Sequence, residues 1–519
     1  MLRSASKAIT RFLTALTSSG IKGPILTSAS EHYAAEISGF NTAIKHSPDV
    51  IVGAASTEDI AQSLRLAQEF GIPISVQSTG HGPCTGITSG IFISTRRLKG
   101  VKIDSTTGRA TIAAGETWGS VVAEGVKQGL APIAGSSTTV GVVGYLLGGG
   151  LGPFARSHGY SSDYVTGFKV VTAAGEVIEA NAKQHPDLFW ALRGGKCGLG
   201  LVTEIEVQLV NLKSFYAGSI FFEEKDIEAG LRGWAEWTKT ANKLVTTSAV
   251  VVRFPPLDTF PPPLRGRRLL ALRFAFPGPK EESEKLASPL RSLAPIYIDN
   301  LTELPAAEVA KIHNDPTTPG PVWSDTMLLH SINQDAITHL LQNFGPGTSS
   351  SFVAAELRHI GAATKMDVEG GSAASGRSAE FIFGVLGKNP ALFETQLPRE
   401  AERLRSLMAP WILPEGNINF MVRPLSSEEF ENMWPKNIAQ RLNAVRKAYD
   451  PTGIFAPSFI VPKNYLEETG EAVEVREKKR LCVVPAVLAK SDTTARDASP
   501  TTAKQSDDVS TSNQSRATF

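Results

Sequence analysis

Gln77-Ser78-Thr79-Gly80-His81-Gly82-Pro83-Cys84 is the stretch on which the reading of this chain turns. It follows a short apolar run, Ile72-Pro73-Ile74-Ser75-Val76, that reads as a buried strand. Small residues and two glycines let the backbone curl until its N–H groups converge on an anion. His81 stands in the middle of that turn, where its ring could touch whatever the backbone cradles. Taken alone, the stretch reads more readily as a tight turn with a surface histidine. The surrounding chain has to decide.

Upstream, Asp49-Val50-Ile51-Val52-Gly53 reads as a strand and Ser56 to Phe70 as a helix. Ser56 or Thr57 can cap that helix, Asp59 completes a capping-box spacing, and Ile60, Leu64 and Ala67 share a face. Gly71 stops it, with Pro73 just beyond. The unit is therefore strand, helix, strand and glycine turn. Downstream, Ile91-Phe92-Ile93-Ser94 and Ala110 to Gly115 are short strands, and Thr117 to Leu130 is a helix with Trp118, Val121, Val122 and Val126 inward. A second glycine-rich run spans Gly135 to Gly152. Its interleaved Val140, Val142, Val143, Leu146, Leu147 and Leu151 argue for burial rather than a flexible loop. Val165 to Ala173 and Glu176 to Glu179 form a hairpin around Gly175. Asp187 to Gly195 is a helical turn ending in glycines, and Val202 to Leu209 alternates as a half-buried strand.

The character changes near Asn211. Strand-like runs (Gly218 to Phe222, Ser248 to Phe254, Leu269 to Phe276, Phe352 to His359, Glu380 to Leu386) alternate with helical ones such as Lys280 to Ser288. An antiparallel sheet with helices on one side fits that order. A helix near Asn437 to Tyr449 and a turn at Asp450-Pro451-Thr452-Gly453 follow. From about Glu467 the chain is charged, then rich in Ser, Thr and Asp, and is expected to be disordered.

The totals exclude several classes. With 519 residues, two domains plus ragged ends are expected. The 52 basic and 51 acidic residues are mixed along the chain, which argues against a nucleic-acid binder. No apolar run reaches the ~20 residues that span a bilayer. Cys84, Cys197 and Cys482 have no metal-ligand spacing, so neither a metal site nor a disulfide framework is expected. Without a secretory signal the cytoplasm is the expected compartment. A first helix with Arg3, Lys7 and Arg11 and no early acid keeps mitochondria as the alternative.

Taken in order, these segments resemble the FAD-linked oxidases of the vanillyl-alcohol oxidase and p-cresol methylhydroxylase superfamily. Within it they are most similar to the berberine-bridge-enzyme-like and 6-hydroxy-D-nicotine-oxidase-like group. The family motif Arg-Ser-Gly-Gly-His stands here as Gln77-Ser78-Thr79-Gly80-His81. Gly-x-Cys-x-x-Val-Gly stands as Gly135-Ser136-Ser137-Thr138-Thr139-Val140-Gly141, followed by Gly148 to Gly152. The C-terminal signature is Tyr449-Asp450-Pro451-Thr452-Gly453-Ile454-Phe455, and Phe189 to Gly195 and Gly200 to Glu204 fit as well.

The resemblance implies an α+β chain: a p-cresol-methylhydroxylase-type FAD-binding domain of two α/β subdomains, and a substrate domain whose antiparallel sheet is covered by helices. The expected boundaries are a lead-in over 1–39, the FAD-binding domain over 40–212 and the substrate domain over 213–415. A return segment over 416–465 and a tail over 466–519 complete the chain. The resemblance also implies that His81 carries FAD through the flavin 8α-methyl. Ser78, Thr79, Gly80, Gly82, Ser137, Val140, Gly141, Gly144, Gly148, Gly149, Gly150, Gly152 and Val202 are the other expected cofactor contacts. Ser137 stands where doubly attached members have cysteine, so at most one covalent link is expected. Gln77 and Thr79 depart from the motif and put its phosphate geometry in question. In the family, valine at the Val140 position goes with oxidases.

The implied reaction removes two electrons from a C–O or C–N bond of a small organic molecule and passes them to O2, giving H2O2. Alternatives are a dehydrogenase with another acceptor, or a non-redox cyclase that keeps the flavin pocket. Tyr145, Glu356 and Asn419 are the catalytic candidates, with Tyr216, Glu380 and His359 behind them. Strand alternation puts Glu356 and Arg358 on one face, as a base with its holder or as a structural ion pair. Cys84 is read as a buried, inert thiol.

Overall fold

The computed structural model describes residues 2–455. The expected disordered tail, Cys482 and residues 456–465 of the return segment lie outside the described residues. Three sheets carry the fold.

The first sheet has the order Ile25–Leu26, Val50–Gly53, Ile91–Ser94, Ile74–Gln77, and its last three strands are parallel. The crossover between Val50–Gly53 and Ile74–Gln77 is the helix Thr57–Phe70. Ser56 caps it by accepting the Asp59 N–H at 3.1 Å, worth about 1 kcal/mol. Gly71 ends it in the left-handed region at φ 65°. The N-terminal helix Leu2–Ser18 lays Phe12 and Leu16 into the same core, with Phe12 edge-to-face on Phe70 at 5.9 Å.

The second sheet is antiparallel, in the order Val101–Asp104, Arg109–Ala113, Leu201–Gln208, Val165–Val171, Val177–Asn181. Its strands and the first sheet share one apolar core that includes Val52, Ile93, Trp118, Phe168 and Trp190. The helix Trp118–Lys127 and the five-residue helix Val142–Leu146 pack into that core, which buries Val142 and Leu146 completely. The glycine run is thus interior structure, as its apolar residues predict.

The third sheet has eight antiparallel strands, among them Ser214–Glu223, Arg268–Phe276, Thr246–Arg253, Ala354–His359, Phe381–Gly387 and Trp323–Leu329 in neighbouring order. Helices Ile227–Thr238, Lys280–Arg291, Gln334–Phe344 and Gln396–Met408 bury Trp234, Leu290, Ile337 and Leu404 against one face. The other face meets the glycine run through two small apolar clusters. One joins Phe154 and Val122 to Phe215, Ala217 and Ala275. The other joins Leu151, Ala155 and Tyr160 to Leu328, Ile360 and Ile382. Between those clusters the sheet face is polar.

Among the described residues no helix is long and apolar enough to cross a membrane, and no His/Cys/Asp/Glu group has metal-binding geometry.

Candidate functional site at the cleft between the glycine run and the large sheet

The His81 turn leaves the end of the strand Ile74–Gln77 and is clamped from outside. Phe40 N–H donates to Thr79 O at 2.9 Å and Asn41 N–H to Gly80 O at 3.0 Å. Gln77, which replaces the motif's arginine, is buried and acts in the same clamp. Its Nε2 donates to Ile37 O and Ser38 O (3.4 and 3.3 Å) and its Oε1 meets His46 Nε2 at 3.2 Å. Gly80 sits at φ 70°, and a Cβ there would lie 2.5 Å from the Gly39 Cα. No other residue fits without moving backbone.

His81 stacks on Phe40 with ring centroids 3.9 Å apart. Its Nδ1 lies 2.9 Å from Thr79 Oγ1 and its Nε2 lies 3.1 Å from Thr139 Oγ1. Burial pulls its pKa down to about 4 against the opposing pull of Asp315. The imidazole is neutral at pH 7. Thr79 Oγ1 also accepts the Gly141 N–H at 3.3 Å, and Ser137 Oγ lies 3.0 Å from Thr139 Oγ1. Two hydroxyls therefore bracket the ring and tie the first motif to the second.

Close approach, not flexibility, explains the glycines that follow. A Cβ on Gly148 would fall 2.1 Å from Asn419 Oδ1, and one on Gly152 would fall 2.0 Å from Ala134 O. A Cβ on Gly150, which sits at φ 75°, would fall 2.4 Å from the Tyr145 ring, and one on Gly149 would fall 3.1 Å from the Tyr160 ring. Tyr145 is held edge-to-face on Trp118 at 5.6 Å, with its hydroxyl 3.5 Å from Ser161 Oγ. Burial raises the phenol above its ordinary range, so it stays protonated. Val140 is partly buried and its carbonyl accepts the Trp118 N–H at 3.1 Å. Val202 lies in the core behind the run.

Asn419 bridges Tyr145 and Lys196. Its Nδ2 donates to Tyr145 O at 2.7 Å and its Oδ1 accepts from Lys196 Nζ at 2.8 Å. Lys196 also donates to Gly144 O at 2.7 Å. It holds a positive φ of 66°, and no carboxylate acts on it; burial lowers its pKa to about 8. Sequence reasoning missed this residue, although a lysine breaking the run Gly194-Gly195-Lys196-Cys197-Gly198 was a usable signal. Cys84 is buried, with its thiol pushed up to about 12 and donating to Met421 O at 3.3 Å.

The opposite wall comes from the polar face of the large sheet. Arg273 opposes Ser248, and Ser248 opposes Arg358, in one row; Glu356 stands in the next. Arg273 NH1 donates to Glu356 Oε1 at 2.6 Å, Arg358 Nε to Oε2 at 3.1 Å and Ser248 Oγ to Oε1 at 2.7 Å. The two guanidiniums overcome burial and hold the Glu356 carboxyl well below its usual range. Glu356 is therefore a poor proton acceptor. Of its two expected roles, this geometry supports the structural ion pair over the general base. Arg358 also lies over the Phe420 ring at 4.9 Å. His313, missed in the sequence because nothing local marks it, faces the same cavity and is pulled to about 3 by burial and by both arginines. Asp315 accepts from Ser136 Oγ at 2.5 Å.

The remaining candidates lie elsewhere. Tyr216 is on the helix-covered face, where its hydroxyl donates to Glu284 at 2.5 Å. Glu380 pairs with Lys365. His359 stacks on Phe381 and its Nε2 takes the Arg156 guanidinium at 2.8 Å, as a core histidine does.

One cavity is bordered by both walls: Leu151, Gly152 and Pro153 on one side, and Ser248, Arg273 and Arg358 on the other. Tyr145, His81 and Glu356 are enclosed by protein yet keep part of their surface accessible. Ser78 Oγ is buried without a hydrogen-bond partner, and the space a Cβ would take at Gly82 and Gly144 is open. A neutral histidine, an orphaned hydroxyl and an open glycine-lined surface fit a dinucleotide cofactor.

Residues 48–181 match the FAD binding domain family. The chain is 40% identical over 176 residues to (R)-6-hydroxynicotine oxidase of Paenarthrobacter nicotinovorans, covering 33% of this chain and 38% of that one. Across the relatives matched first, the alignment spans between a third and two fifths of their length. The fold extends further. 6-Hydroxy-D-nicotine oxidase from Arthrobacter nicotinovorans superposes with a TM-score of 0.74 at 24% identity, covering 85% of this chain and 98% of that one. Glucooligosaccharide oxidase from Acremonium strictum, whose structure concerns a 6-S-cysteinyl, 8α-N1-histidyl FAD, gives 0.73 at 20% identity, covering 87% and 98%.

The chain contains an FAD binding domain on a mixed α/β fold shared with FAD oxidases. Its sequence is similar to (R)-6-hydroxynicotine oxidase over about a third of its length, and its fold is also that of a berberine-bridge-enzyme-like protein of Physcomitrella patens, with a TM-score of 0.73 at 16% identity.

Proposed function

We propose that this chain is an FAD-dependent oxidase that removes two electrons from a C–O or C–N bond of a small organic molecule and reduces O2 to H2O2. The observation that carries the reading is the neutral His81, bracketed by Thr79 and Thr139 within an FAD binding domain. Bound flavin would supply the two-electron chemistry.

The chain's own residues do the rest. His81 is the single point of covalent attachment, its neutral ring nitrogen being nucleophilic at pH 7. Ser137 presents only a hydroxyl where a second tether would need a thiol. The Ser78–Gly82 turn, Gly141, Gly144 and the Gly148–Gly152 run hold the cofactor, backed by Val140 and Val202. Tyr145 remains protonated and serves as a hydrogen-bond donor on the glycine wall. Asn419 positions that wall through the Tyr145 carbonyl. Glu356 positions Arg273 and Arg358 on the other wall. Substrate lies between the walls, where the two apolar clusters exclude water.

The test is direct. Protein from flavin-replete cells should be yellow and keep its flavin through acid precipitation. His81→Ala should release it, and a flavin still covalently held in that variant would sink the assignment. An anaerobic substrate screen followed by admission of air should give bleaching, then H2O2 in a 1:1 ratio to product, about one peroxide per two electrons. Slow reoxidation in air would point to the dehydrogenase alternative.

A further inference from the structure

The charged wall carries more donors than its carboxylate can use. Arg273 places one N–H on Glu356, and Arg358 directs its Nε and NH2 to the same carboxylate. Among the described residues, Arg273 Nε and NH2 and Arg358 NH1 have no hydrogen-bond acceptor in the protein. Neither guanidinium is in bulk solvent: Arg273 is 18% exposed and Arg358 20%. Both line the cavity that faces Gly152.

The local charge agrees. Arg273 and Arg358 share the one carboxylate of Glu356, and His313, which lines the same cavity, is neutral at pH 7. One positive charge is left uncompensated in an enclosed site. An enclosed cation with idle donors is costly unless an anion completes it. The planar guanidinium fork matches a carboxylate, two oxygens against two N–H groups. The arginines project from one row of the sheet, on the two strands that flank Ser248, and that register is fixed, so the fork is held in place before any ligand arrives.

We propose that Arg273 and Arg358 form a carboxylate-binding subsite, so that the molecule oxidised in this cleft is a small organic acid. The acid group docks on the sheet, and the bond to be oxidised points toward the glycine wall and Tyr145. Glu356 keeps the two arginines parallel and moderates their charge. That the bound acid is oxidised rests on the oxidase reading; the subsite itself stands on the sheet's own residues.

The experiment is calorimetric titration of the purified full chain with benzoate and with its neutral isostere benzamide, flavin content being measured separately. Benzoate should bind on the order of tenfold or more tighter than benzamide, with affinity falling as salt rises. Arg358→Gln should abolish that preference and Arg358→Lys should retain part of it. Glu356→Gln should strengthen benzoate binding, because it frees both guanidiniums. A merely structural ion pair would instead weaken binding in both the arginine and the glutamate variants. Equal binding of benzoate and benzamide by a flavin-loaded protein overturns the subsite and leaves the oxidase reading intact. A flavin-free protein that still selects benzoate through Arg358 does the reverse. Loss of flavin in Arg358→Gln without any benzoate binding by the parent would assign the arginines to the cofactor and overturn the proposal.

Discussion

The wall formed by residues 77–82 and 135–152 contains no charged side chain, whereas the sheet wall opposite it presents Arg273, Glu356 and Arg358 within two rows. The first wall is specified by what is missing. Each close approach, Gly152 on Ala134 O or Gly148 on Asn419, requires that a Cβ not exist. The second is specified by side chains on a backbone that would accept almost any residue. A surface made of backbone suits a ligand whose shape never changes, and a surface made of exchangeable side chains suits one that differs between relatives. The match to the FAD binding domain family stops at residue 181, before the charged wall begins.

The largest effect should come from adding one methyl group to each wall. Gly152→Ala forces a Cβ to 2.0 Å from a backbone carbonyl that cannot step aside. We expect a loss of roughly 3 kcal/mol or more and an inability to retain flavin. Gly384→Ala, on the sheet face, meets the Thr326 Cγ2 at 3.2 Å and the Asp325 O at an ordinary 3.9 Å, and should cost less than about 1 kcal/mol. Urea melts of the two variants decide the matter. Equal costs would remove the distinction between the walls.

Next is the pH dependence that His81 gives the flavin-free protein. Its folded pKa of about 4 lies below the unfolded value near 6.5. Between those values the unfolded chain binds the extra proton, so stability rises with pH from about 4 to 6.5 and is lost as the pH falls through that window. The term amounts to roughly 2–3 kcal/mol and should vanish in His81→Gln. A parent and a variant with parallel stability–pH curves would show that the ring is not desolvated.

How much of this was readable beforehand follows the same division. The Ser56 cap, the Gly71 stop and the strand–helix–strand order are local codes, and the structure follows them. The strand Trp323–Leu329 was not readable. Its Ser324, Asp325 and Thr326 look like loop residues, yet all seven positions are buried. Asp325 is tolerated there because Arg405 and Arg423, about 80 and 100 positions away, reach its carboxylate at 2.9 and 3.2 Å. No window of sequence contains that pairing. Gln77 is a similar case: its departure from the motif cast doubt on the phosphate geometry, but its side chain faces residues 37–46, away from the open side of the turn. Glu356 was placed on the right face by alternation. Its ionisation could not be read, since Arg273 comes from a strand 83 residues earlier.

Lys196 lies outside the uncharged wall but bonds to it through the Gly144 carbonyl, and it gives a sharper test there. Its ammonium is held by the Gly144 carbonyl and Asn419 Oδ1, neither of them charged. The folded pKa of about 8 lies below the unfolded value of 10.5. The unfolded chain therefore holds the extra proton between pH 8 and 10.5, and stability should rise with pH across that window. Below pH 8 the buried ammonium destabilises the flavin-free protein in full. Lys196→Met should relieve this by roughly 1–3 kcal/mol, the lower end reflecting the part of the side chain that still touches solvent. If Lys196→Met instead destabilises the flavin-free protein, the two hydrogen bonds outweigh the desolvation.

The smallest expected effect concerns Cys84, three positions past His81. Proximity in sequence to His81 would suggest a reactive thiol, but the geometry argues otherwise. Its side chain is buried, its thiol is pushed up to about 12, and its hydrogen donates to the Met421 carbonyl. A thiol at that value is almost wholly protonated at pH 8, and the thiolate is the form that reacts. Labelling native protein with a disulfide reagent at pH 8, with the modified peptides read by mass spectrometry, should leave Cys84 untouched until urea unfolds the chain. Cys84→Ala should cost about 1 kcal/mol and retain flavin. Rapid labelling of Cys84 in the native state would place a reactive thiol beside a wall that otherwise carries no ionised side chain. The contrast between a wall of shape and a wall of charge would then fail at the turn that carries His81.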